Sequence, residues 1–299
     1  MTVKATTAGI PGASPASRRF SWNWLGVVPF FAFAIAFMFL PITFLVVGSF
    51  QSAGQWTLAN YIGLGDAYIQ TAYRNSIILS AITAIGGGIL GFLIAAALVL
   101  GRLPRALTAG MLTFSGVASN FAGVPLALAF VFTIGNNGLL TKLLDEHLGI
   151  NIVTQAGFSL YSILGLAIVY MYFQLPLMIL IIVPAIEGLR KDWREAALNL
   201  GATPRQYWRS IALPILMPTI LGTIILLFGN AFGAQATAFQ LTGGTIPIAP
   251  VVIGTQIRGD VLRNPGLGYA MAMGMVVIMG ISIGLYSLLQ RRAERWLRS

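Results

Sequence analysis

Cysteine is absent from the 299 residues, so no disulfide framework, thiolate nucleophile or sulfur metal site is available. Charge is scarce as well: 9% of the residues are Asp, Glu, Lys or Arg, against roughly a quarter in an ordinary soluble domain. The chain has one histidine, His147, and a lone imidazole cannot assemble a zinc site. Neither His-Glu-x-x-His nor a Gly-x-x-x-x-Gly-Lys phosphate loop occurs. The chain therefore reads as no enzyme, with no catalytic or metal residues and no cofactor of its own.

What is present is apolar surface, 57% of the residues being hydrophobic. So much of it is stable against hydrocarbon and not against water. Apolar stretches long enough to cross a bilayer lie near 25–50, 74–101, 106–135, 158–188, 208–232 and 266–290. They predict an all-α, polytopic bundle of about six transmembrane helices. Residues 1–21, rich in Ala, Thr, Ser, Gly and Pro, read as a disordered cytoplasmic tail, and 22–299 as a single transmembrane domain.

The formal charge of +10 sits in short basic runs between the apolar stretches. That pattern orients a chain across a membrane and argues against a nucleic-acid partner. Six spans put both termini on one side. Lys4, Arg18, Arg19, Arg102, Arg105, Arg190, Lys191, Arg194, Arg205, Arg209, Arg291, Arg292, Arg295 and Arg298 then share the cytoplasm. Arg74, Lys142, Arg258 and Arg263 are left outside, which satisfies the positive-inside rule. The outer loops, about 51–73, 136–157 and 233–265, contain turn-rich stretches such as Gly135-Asn-Asn-Gly138 and leave room for short surface or re-entrant helices.

Gly87-x-x-x-Gly91, Gly229-x-x-x-Gly233 and Gly280-x-x-x-Gly284 allow helix backbones to approach closely. Gly86-Gly-Gly-Ile-Leu-Gly91 formally fits a dinucleotide fingerprint but lies mid-span with no strand before it. Pro125, Pro176 and Pro184 interrupt the third and fourth spans; kinks beside a cavity and kinks that serve packing are both open. Asn120, Gln174, Asn230, Gln235, Thr237 and Gln240 are the neutral polar groups in or near the spans, able to line a path or to bridge helices.

Between the fourth and fifth spans, at about 189–206, the chain reads as two short helices joined by a turn. Leu189, Trp193, Ala196 or Ala197 and Leu200 recur at helical spacing, and Gly201 stands where a left-handed terminator is wanted. Thr203 then caps the next helix, Pro204 suits its first position and Gln206 completes a capping box. A mere connection needs only a few polar residues, so a defined helix-turn-helix predicts a surface offered to a partner; an amphipathic helix on the headgroups is the alternative. Small Ala196, Ala197 and Gly201 would let a partner groove close on the backbone, with Arg194 and Glu195 pairing across its rim.

The run Glu195-Ala196-Ala197, three residues, Gly201, nine residues and Ile211-x-Leu213-Pro214 resembles the signature loop of binding-protein-dependent ABC importer permeases, the MetI-like inner-membrane components. The resemblance takes in Trp56-Thr-Leu-Ala-Asn-Tyr61 and the six-span plan, about 55–290 in all. It implies a MetI-like permease fold and an inner-membrane protein working by alternating access. It further implies a cytoplasmic ABC ATPase dimer carrying ATP and Mg, a second permease subunit (a different chain, with a second copy the alternative) and an extracytoplasmic solute-binding protein. Arg194, Glu195, Ala196, Ala197, Gly201 and Pro214 would form the coupling loop that docks on the ATPase. Asn-Leu-Gly-Ala-Thr-Pro204 is similar to permeases for polyamines, ferric iron and phosphonates, and polyamine-like cargo is favoured within that branch. A sugar or glycerol phosphate importer and an ion-gradient carrier are the alternatives. The latter suffers from the want of an ionisable group near a span centre.

Overall fold

The computed structural model describes residues 26–298 except 53, 102, 151–152, 154–156 and 259–263, and no side chains from 292 onward. The expected tail at 1–21 lies outside these residues. The chain divides into two units, Met1–Phe44 and Leu45–Ser299, where the sequence predicts one domain from residue 22.

In the first unit, α1 (Val28–Ala34) passes through a π-helical turn, Ile35–Phe39, into α2 (Leu40–Ser49), whose last residues belong to the second unit. A second π turn, Trp208–Ala212, recurs later in the chain. Each ends two residues before a proline, Pro41 and Pro214. A proline ring has no N–H to give and crowds the carbonyl four residues back, and a widened turn relieves both.

The second unit opens with a tight hairpin, β1 (Gln51–Ser52) and β2 (Gln55–Trp56), the one departure from an all-α chain among the described residues. Then follow α3 (Ala59–Gly63), α4 (Ala67–Leu100), α5 (Arg105–Asn120), α6 (Gly123–Ile134), α7 (Leu139–Leu148) and α8 (Ile163–Glu187). The chain continues through α9 (Lys191–Asn199), α10 (Pro204–Tyr207), α11 (Leu213–Phe232), α12 (Gln235–Thr242), α13 (Ala249–Arg258) and α14 (Pro265–Arg298). Six stretches are long and apolar enough to cross a membrane: Val28–Ser49, Ala67–Leu100, Gly123–Leu148, Ile163–Glu187, Pro204–Phe232 and Pro265–Arg291.

Five of these overlie the expected spans; the third does not. The stretch 106–135 is two helices, parted at Phe121 and Ala122, and the membrane-length stretch there begins only at Gly123. Pro125 is consequently the third residue of α6 and interrupts nothing, while α8 continues through both Pro176 and Pro184. Of the stretches expected as outer loops, the first holds α3 and the third α12 and α13, while α7 of the second falls within the membrane-length stretch Gly123–Leu148.

α4 and α8 form the core, and glycine sets their separation. A Cβ on Gly87 would stand 2.9 Å from Cβ of Gln174, and one on Gly91 would stand 2.6 Å from Cβ of Met178, so only glycine permits this approach. Two apolar clusters line the seam. Leu79, Leu166, Val169, Tyr170 and Phe173 belong to one; Ala84, Ala95, Met178, Ile182 and Ile186 belong to the other, which α11 completes with Leu216 and Leu227. Between them lies a polar layer in which Gln174 Nε2 donates to Thr83 Oγ1 at 2.8 Å. Gly280 and Gly284 behave differently: a Cβ on either would meet nothing within 4 Å, so their motif packs against no helix among the described residues. Gly280-Ile-Ser-Ile-Gly284 also formally fits the Gly-x-Ser-x-Gly pattern of hydrolases. It lies inside α14, with Ser282 Oγ donating to the Ile278 carbonyl at 2.9 Å, and so lacks the strand-to-helix elbow that chemistry needs.

Candidate functional site

Local chemistry fixes the segment between α8 and α11. α9 ends in a Schellman arrangement: Gly201 N–H donates to Leu198 O at 2.9 Å and Ala202 N–H to Ala197 O at 3.0 Å. Gly201 has φ +80°, and a Cβ there would meet nothing within 4 Å, so glycine is required for backbone conformation and not for space. Thr203 opens α10 with the expected capping box. Gln206 N–H donates to Thr203 Oγ1 at 3.3 Å, and Thr203 N–H donates to Gln206 Oε1 at 2.7 Å.

The hairpin is closed by its own small core of Ala197, Tyr207 and Ala212, packed with Leu189, Ala202 and Trp208. Ala197 therefore faces inward, at 6% exposure, and is not part of an open surface shared with Ala196. Turning Ala197 in leaves Arg194, Glu195, Ala196 and Leu198 out, with Leu200 at 88% exposure on the rim beside Gly201. Pro214 is half-buried at the head of α11, behind the second π turn, and sets the exit of the chain.

A second site lies where α5 gives way to α6. Gly123, at φ +74°, turns the chain, and its N–H donates to Thr237 Oγ1 on α12 at 2.9 Å. A cleft of about 510 Å³ opens beside this contact, lined by Gly123, Phe173, Asn230, Gln235 and Thr237 among others. Three of the six expected polar residues, Asn230, Gln235 and Thr237, thus come together. Gln174 does not join them; it is fully buried in the α4–α8 seam and bridges helices, with its Oε1 unpartnered. Asn120 is spent locally, donating to the Gly116 carbonyl at 2.9 Å, and Gln240 is exposed on α12 away from the cleft lining. Gln235 also lines a smaller adjoining cleft with Phe239, Gly254 and Arg258. No group of three or more His, Cys, Asp or Glu able to hold a metal occurs among the described residues.

Residues 87–295, some two-thirds of the chain, match the family described as binding-protein-dependent transport system inner membrane component. The chain belongs to this family. It is 25% identical over 244 residues to a probable sulfate transport system permease protein of Nephroselmis olivacea, covering 79% of each chain. It is 34% identical over 129 residues to the spermidine/putrescine transport system permease protein PotB of Haemophilus influenzae, covering 41% of this chain and 44% of that one. Its fold is that of a chain in the crystal structure of a bacterial ABC transporter involved in the import of the acidic polysaccharide alginate. The TM-score is 0.70 at 16% identity, over 90% of this chain and 95% of that one.

The chain is therefore a multi-pass membrane permease of the ABC importer class. Within the permease, sequence reasoning missed the helix break at Gly123, although Phe121-Ala-Gly-Val-Pro125 carries both a glycine and a proline as a signal. It also missed the inward Tyr207 and Ala212, whose pairing with Ala197 depends on how the turn folds the two helices together.

Proposed function

We propose that this permease moves a small polar solute across the inner membrane by alternating access, driven by a separate cytoplasmic ABC ATPase dimer that binds ATP and Mg. In this reading the hairpin Lys191–Tyr207 faces the cytoplasm and docks on the ATPase through Arg194, Glu195, Ala196 and Leu200, with Gly201 holding the turn. An extracytoplasmic binding protein delivers the cargo, and a second permease subunit, a different chain, completes the path. The observation that carries the docking role is the capped, self-packed hairpin that presents an 88%-exposed leucine. A surface that must transmit a push works only if it is stiff in itself.

Cargo passes the cleft beside Gly123, Asn230, Gln235 and Thr237, where neutral groups exchange hydrogen bonds with it. Polyamine is supported by the loop sequence and by the spermidine/putrescine relative; sulfate is supported by the sulfate-permease relatives. Uptake of labelled spermidine and labelled sulfate by cells expressing the system separates the two. Affinity purification of the tagged chain in mild detergent tests the rest. Recovery of an ATPase with the wild type, and its loss from Ala196→Trp and Gly201→Trp variants, is the expected result. Undiminished ATPase recovery and uptake in both variants would overturn the docking assignment.

A further inference from the structure

The ends of α4 and α8 and the start of α9 enclose a cleft of about 690 Å³. Its floor is apolar, including Leu100 and Ile186 from the ends of two membrane spans. Its walls carry three cations, Arg190, Lys191 and Arg194, against one carboxylate, Glu187. Tyr207 and Trp208, edge to face at 6.3 Å, complete the lining. Arg190 is partly engaged, paired with Asp192 at 2.8 Å and lying 5.8 Å from the centre of the Trp193 ring; these contacts lie on the solvent side, the pair being 64% and 73% exposed. Lys191 and Arg194 form no ion pair with a described residue. The cleft also receives the N-terminus of α9, which no side chain caps; its amide groups add positive potential to that of the cations, offset in part by Asp192 in the first turn.

These features match one chemistry. Lys191 and Arg194 against the single Glu187 leave a positive excess that calls for an anion, the apolar floor calls for acyl chain, and Trp208, half-exposed beside them, suits the headgroup region where tryptophan is enriched. Basic pockets between span ends are suited to phosphate-bearing headgroups. We infer that this cleft binds an anionic phospholipid, its phosphate held by Lys191 and the start of α9, its acyl chains against Val99 and Leu100. A lipid seated there touches both the hairpin and the ends of the core helices α4 and α8, bracing one on the other. The inference rests on α4 and α8 being membrane spans and not on ATPase docking, so either can fail without the other.

The test uses the full chain, delipidated in mild detergent and offered phosphatidylglycerol or phosphatidylcholine at equal mole fraction, with retained lipid counted by native mass spectrometry. Phosphatidylglycerol should be retained in preference. Lys191→Gln should lower its retention about fivefold, the equivalent of the roughly 1 kcal/mol that each basic residue contributes at an anionic surface. Lys191→Arg should retain it, and Arg205→Gln, which removes an exposed charge outside the cleft, should leave it unchanged. Equal retention of both lipids, equal loss in Arg205→Gln, or loss in Lys191→Arg would overturn the proposal. Displacement of the lipid by millimolar inorganic phosphate would assign the same groups to a free phosphate and overturn the lipid.

Discussion

Two helix interruptions in this permease look alike in backbone and differ in what holds them. At Gly201 and at Gly123 a glycine at positive φ, +80° and +74°, parts two helices. At Gly201 the freed groups are satisfied within the segment, by the carbonyls of Ala197 and Leu198 and by the Thr203–Gln206 box. At Gly123 the amide is satisfied from 114 residues away, by the hydroxyl of Thr237. The first break is self-sufficient and can project from the bundle; the second exists only while α12 is docked against α6. A segment built the first way keeps its shape by itself, and one built the second way follows the packing of the bundle.

Thr237→Val should break this contrast most severely. It keeps the shape of a buried side chain and removes the acceptor of the Gly123 amide, so it should destabilise the permease by about 1–3 kcal/mol. A lowered Tm in detergent checks it, with Thr237→Ser restoring most of the loss. Gly201→Ala and Gly123→Ala come next, each costing about 1–2 kcal/mol for holding an L side chain in the left-handed region. Neither meets a clash, the nearest atom to either new Cβ being that of Ala236 at 3.8 Å from the one on Gly123. Gly123→Ala should therefore lower the Tm, while Gly201→Ala, confined to the self-bonded hairpin, should leave the Tm almost unchanged and alone lower the uptake per ATP hydrolysed.

Thr203→Ala should follow at about 1 kcal/mol, the usual loss for an N-cap. Because the cap is exposed and local, its effect should appear as faster amide exchange in α10 with Tm almost unchanged; a fall in Tm as large as that of Thr237→Val would erase the distinction between the two breaks. Leu200→Ser should change stability least, since the side chain is 88% exposed. Its whole effect should fall on recovery of the ATPase partner in pull-downs.

The same distinction explains which features were legible in the sequence. Six spans, the small-residue motif Gly87-x-x-x-Gly91 and the capped turn at Gly201–Gln206 each depend on residues within a few positions of one another, or on length and apolarity alone, whereas that α8 is the helix packed on the motif does not. The break at Gly123 was hidden because Leu126 to Ile134 continue the apolar run beyond it and hydropathy takes no account of a turn. Of the polar residues, sequence could name Gln174 and Thr237 but not separate them. Both are buried amid apolar helices; one bonds across the α4–α8 seam and the other beside a cleft.

By itself the sequence determined that this chain spans a membrane, how many times, and that a stiff hairpin with the family's signature separates its fourth and fifth spans. Local hydrogen bonds and transfer to hydrocarbon set those features, and both are properties of contiguous residues. Only the tertiary structure decided that Ala197 turns inward while Ala196 stays out. It alone gathered Asn230, Gln235 and Thr237 at one cleft, and placed Arg190, Lys191 and Arg194 over the ends of α4 and α8. Those choices depend on which helix faces pack together, and packing is decided by steric fit between segments far apart in the chain.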